Sequence, residues 1–203
     1  MDNLDLLKKD WKKQESQLPR LDKSAISKLL QKKSSSIVKW IFIISVLELV
    51  VPNVILLFTG IKESNSQISK LGLEQFFIIF YILYYIIVIG FIYLFFKNYK
   101  SISANTTAKA LMQNIVKTRR VVKYYIYFHL ALIPFLGIII ISRTFKSQSF
   151  LNSIPENTNM IVVWVIAIGF LIFFMFLFWL FYKLLYGILL NRLKKNYKEL
   201  MDL

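Results

Sequence analysis

Four stretches of about twenty apolar residues dominate this chain, and they limit its fold more than any other feature. They cover residues 37–58, 73–96, 121–141 and 160–182. The second reads LEQFFIIFYILYYIIVIGFIYLFF, and the fourth, MIVVWVIAIGFLIFFMFLFWLFY, has no charge at all. A helix rising 1.5 Å per residue needs about 20 such residues to cross a hydrocarbon core of roughly 30 Å. Soluble helices need a polar face toward water, and the second and fourth stretches have almost none. The fold expected is all-α: a four-helix transmembrane bundle with helical cytoplasmic extensions. With 57% hydrophobic residues, the chain is richer in apolar residues than most soluble domains.

The positive charge then reads as a topology signal. Of the 26 lysines and arginines, ten lie in residues 1–39, seven in 97–123 and five from Lys183 onward, against two each in 59–72 and 142–159. Such a bias sets orientation in short loops. It predicts both termini and the middle connection, 97–120, on the cytoplasmic side of a bacterial inner membrane. Cations placed there gain roughly 1 kcal/mol each from anionic lipid. The net charge of +15 therefore needs no nucleic acid, and none is expected as a partner. The sequon at Asn105 falls on the same side, where it would not be used. The first apolar run begins only at Ile37, so no signal peptide is expected.

Outside the spans, apolar residues recur at helical spacing. Ala108, Leu111, Met112, Ile115 and Val116 form one stripe, and Leu185, Leu189, Leu193 and Tyr197 form another in the tail, 183–203. Residues 1–36 read as a separate amphipathic segment ahead of the membrane domain, 37–203, with SSS at 34–36 as the joint. Leu7 and Trp11 mark its first short helix, and Ile26, Leu29 and Leu30 its second. These five are the candidate face for a cytoplasmic protein partner. The alternatives are packing onto the bundle and lying on anionic headgroups. A second copy of the chain is a further candidate partner. KSSSIVKW at 33–40 and KTRRVVKY at 117–124 match weakly, as two hairpins related by an axis along the membrane normal would.

Inside the spans, polar residues are few. Glu48 lies eleven residues past Ile37, about 16 Å at helical rise, which places it close to the midplane. A carboxylate facing lipid there costs at least about 2.5 kcal/mol, so it should face the bundle interior, be protonated, or both. Pro52 removes the helical bond to the carbonyl of residue 48, and Asn53 adjoins it. His129 and the tyrosines of the second span, Tyr84 foremost, are the candidate partners. Glu48, Asn53, His129 and Tyr84 thus make up a candidate intramembrane polar site, either a proton or cation relay or a helix-helix tie. There is no cysteine and one histidine. No nucleophile elbow, zinc-protease motif, P-loop or dinucleotide loop is present. No catalytic residue, metal site or cofactor is expected.

The strings LLKKDWKK, KKSSSIVKWIFIISVLE and MQNIVKTRRVVKYY resemble, along most of the chain, a group of four-span bacterial inner-membrane proteins without assigned chemistry. Such proteins often bear the automatic label β-carotene 15,15′-monooxygenase. Carotenoid-cleaving oxygenases hold iron with four histidines, whereas His129 stands alone here. The amphipathic cytoplasmic helices point to a non-enzymatic regulatory or interaction protein that binds a cytoplasmic partner, and the alternative is a small transporter or accessory subunit using Glu48.

Overall fold

A computed structural model describes residues 8, 23–59, 66, 68–104, 107–155 and 157–202. Among them there is no strand, and five helices account for the fold. They are α1 (Lys23–Thr59), α2 (Glu74–Ala104), α3 (Ala108–Phe145), the short α4 (Gln148–Leu151) and α5 (Met160–Met201). The four long helices are each long and apolar enough to cross a membrane, the pattern of a multi-pass membrane protein. At 1.5 Å per residue they run about 46 to 63 Å, well beyond a bilayer core.

One boundary differs from the sequence reading. α1 passes through Ser34, Ser35 and Ser36 without a break, because two of these serines are used inside the bundle and do not form a joint. The buried Asn196 donates to Ser34 Oγ at 3.0 Å, and Ser35 shares a 2.8 Å bond with Ser103. Gln31 adds bonds to the carbonyls of Ile102 and Ser103. α5 likewise continues unbroken from Met160 to Met201.

Burial is concentrated toward one end. The fully buried side chains Val38, Ile41, Phe95, Ile102, Leu111, Ile115, Val122 and Leu193 all lie in the lysine-rich half. The two sequence stripes supply much of this core, Leu111 and Ile115 from one and Leu193 from the other. In the opposite half, long runs such as Phe170–Phe178 on α5 are exposed. Lipid offers such faces the same apolar surroundings that another helix would. Contacts there are local. A Cβ on Gly137 of α3 would run into the side chain of Leu171 on α5, so glycine allows close approach. Phe145 packs on Phe150 and Trp164, each at 4.9 Å, and so pins α4 and α5 to α3.

The hairpins are alike. α1 packs chiefly on α2, and α3 on α5, while α2–α3 and α1–α5 close the ring. Within 33–40 and 117–124, Ser34 and Thr118 are both buried, as are Val38 and Val122. A second repeat, missed at first reading, strengthens the relation: KNYK occurs at 97–100 and again at 195–198. Both of its asparagines, Asn98 and Asn196, are buried, as are the flanking pairs Phe95 with Leu193 and Ile102 with Leu200. Two hairpins related by an approximate two-fold axis along the bundle account for this.

Leu193→Ala should cost about 2–5 kcal/mol through the cavity it leaves, lowering the thermal midpoint in detergent. Leu57→Ala, at a side chain 67% exposed, should barely move it.

Candidate functional site

The site stands where the packed half meets the splayed half. Its centre is Tyr125 on α3, which is fully buried. The Tyr125 hydroxyl donates to Glu48 Oε2 at 2.5 Å. Its ring meets Phe91 and Phe95 of α2 edge-on at 5.5 and 5.4 Å, and Tyr186 of α5 at 5.9 Å. All four long helices therefore meet at one side chain.

His129 lies one turn further along α3. Its Nδ1–H donates to the Tyr125 carbonyl at 2.9 Å, and Tyr84 of α2 stands 3.4 Å from Nε2. One tautomer satisfies both contacts, with Nδ1 protonated and Nε2 accepting from the Tyr84 hydroxyl. Tyr85 of α2 donates to Asn53 Oδ1 of α1 at 2.6 Å, and Asn53 Nδ2 donates to the Leu49 carbonyl at 2.6 Å. Asn53 thus ties α1 to α2 one turn beyond the carboxylate, beside Pro52.

These groups face a cavity of about 440 Å³. Glu48, Asn53, Tyr81, Tyr84, Tyr85, His129 and Tyr182 supply its polar wall, and leucines, isoleucine, proline and phenylalanines supply the rest. Glu48 Oε1 is buried with no hydrogen bond of good geometry, and the Tyr186 hydroxyl, likewise buried, stands next to the carboxyl group. Among the described residues, the ion pair found is Lys195–Glu199, so Glu48 has no cation bound to it. No group of three metal-ligating side chains occurs among them either.

The four residues expected to form an intramembrane polar site thus line one cavity. The anticipated pairing differs: Glu48 bonds Tyr125, and His129 reaches it only through Tyr125. Tyr125 follows Lys123 by two residues, and Tyr182, across the cavity, precedes Lys183 directly. Two residues are about 3 Å of helix, so basic residues of α3 and α5 begin close to the level of the carboxyl group. Tyr125, Tyr182 and Tyr186 were not singled out from the sequence. The usable signal was spacing: Tyr81–Tyr85, Tyr125–His129 and Tyr182–Tyr186 are all i, i+4 pairs, each setting two polar tips on one helical face.

Of the candidate docking face, Leu7 and Trp11 lie outside the described residues. Leu30 is buried in the bundle, Ile26 packs partly against it, and Leu29 remains 49% exposed. The helical phase that points Leu30 inward turns Leu29 out.

The family model of a domain of unknown function, DUF8845, matches residues 24–203. The chain belongs to the DUF8845 family. Neither the curated proteins nor the solved structures contain a match. The DUF8845 match takes in all but the first residue of the four long helices and every residue around the cavity. It leaves out residues 1–23, and with them Leu7 and Trp11.

A double-mutant cycle of Tyr125→Phe with Glu48→Leu, read by unfolding in sodium dodecyl sulfate, should return a coupling of about 0.6–2 kcal/mol. Strict additivity would mean the bond contributes nothing to the bundle.

Proposed function

We propose that this DUF8845 protein is a non-enzymatic membrane protein that admits a small ligand to the cavity beside Glu48, as a small transporter or as the ligand-sensing accessory subunit of a membrane complex. One observation supports this above the rest: a carboxyl group held by Tyr125 lines a cavity of about 440 Å³ that has no basic side chain among its described lining residues. An ionisable group placed in a membrane segment is costly and is a default candidate for function. In this reading the lysine-rich end is cytoplasmic, the membrane is the bacterial inner membrane, and the cavity opens near the cytoplasmic leaflet.

A second reading, docking of a cytoplasmic protein, is favoured by the exposure of Leu29 at the lysine-rich end. Leu29→Glu would abolish recovery of such a partner and leave the cavity intact.

Access to the cavity is testable directly, since the chain contains no cysteine. Leu56 lines the cavity and Leu57 faces outward. In proteoliposomes, a water-soluble thiol reagent should label Leu56→Cys and spare Leu57→Cys. Equal protection of both would refute a ligand-accessible cavity.

A further inference from the structure

The chemistry of the cavity wall narrows what it can hold, given that it is a ligand site as proposed above. Its acid is Glu48, and its other titratable groups are tyrosines and His129. No lysine or arginine lines it. His129 engages both ring nitrogens in hydrogen bonds, one to the Tyr125 carbonyl and one to the Tyr84 hydroxyl, so neither is left open to a ligand. The cavity therefore has one acid on its wall and no cation supplied by the described residues.

Aromatic faces surround it. Phe80 stacks near-parallel on Tyr84 at 6.1 Å, Tyr81 lies 6.0 Å from Phe80, and Tyr182 closes the α5 side. Aromatic faces attract weakly hydrated cations, and the gain grows when both partners are removed from water. An anion would be repelled by the carboxylate. A neutral ligand would leave the charge unpaired. A bare divalent metal wants six or more oxygens, and no three-ligand cluster exists among the described residues.

An apolar groove of about 320 Å³ runs between α2 and α3 and shares Phe80, Tyr84 and Leu132 with the cavity. Leu83, Phe128 and Phe135 extend it along the lipid-facing side. A ligand with an apolar body would lay that body there while its charged head reached Glu48. We propose that the cavity binds an organic cation, a quaternary ammonium or protonated amine carrying an apolar group, with Glu48 as its counter-ion and Phe80, Tyr81, Tyr84 and Tyr182 as its cage.

The test uses the full chain with Leu136→Cys, a cavity position, and Asn152→Cys, an exposed reference. Each is labelled with the cationic trimethylammonioethyl and the anionic sulfonatoethyl methanethiosulfonate. The cation-to-anion rate ratio at the cavity should exceed that at the reference by about tenfold, the scale of one local charge. It should fall to the reference ratio in Glu48→Gln. Within the Glu48 protein itself, which needs no second folding control, benzyltrimethylammonium should slow cavity labelling and benzenesulfonate should not. Tyr81→Leu, which leaves the Glu48–Tyr125 bond in place, should weaken that protection. Labelling by both reagents at the reference ratio would overturn the cation assignment and leave the ligand cavity standing. Labelling by neither would overturn the cavity, and the assignment with it.

Discussion

The hydrogen bond from Tyr125 to Glu48 is where the two halves of this molecule are joined. Toward the lysine-rich end the four helices share a buried core. Toward the other end they part, and side chains along α5 from Ile161 to Phe181 are largely exposed. Tyr125 is the last side chain that reaches all four long helices, through a carboxylate, two phenylalanines and a tyrosine. Beyond it, the helices are joined by pairwise ties: Tyr85 to Asn53, Tyr84 to His129, Gly137 beside Leu171. The cavity is the first space those pairwise ties leave open.

The burial gradient follows from the solvent. In water, apolar stripes are driven together and the interior fills. In hydrocarbon that drive is absent, and association rests on close approach and hydrogen bonds. Helices about one and a half to two times as long as a bilayer core therefore pack by two different rules along one axis. The polar layer of Ser34, Asn196, Gln31 and Ser103 belongs to the first regime. The Asn53–Tyr85 tie belongs to the second.

Most of the fold was legible in the sequence because membrane spans are written as long unbroken apolar runs, and the packed extensions as 3.6-residue stripes. Leu111, Ile115 and Leu193 went where their periodicity pointed. The serines at 34–36 misled, since a small polar run reads as a joint when its partners, Asn196 and Ser103, lie far off in sequence. Glu48, Asn53, His129 and Tyr84 could be grouped from sequence because polar residues in spans must turn inward. Which of them touch could not, because that depends on the axial offset between helices. A tyrosine in an aromatic-rich span, such as Tyr125, also looks like an interfacial anchor until its hydroxyl is seen to be inside.

The duplicated hairpin has a consequence for the cavity. In the register that equates residues 33–40 with 117–124, Glu48 corresponds to Leu132, and both line the same space. A bundle of two identical hairpins would have faced one acid with another across its axis, two like charges sharing a single low-dielectric chamber. In this chain Leu132 stands where such a bundle would carry its second acid, which gives an otherwise even-handed bundle one acidic wall and one oily one.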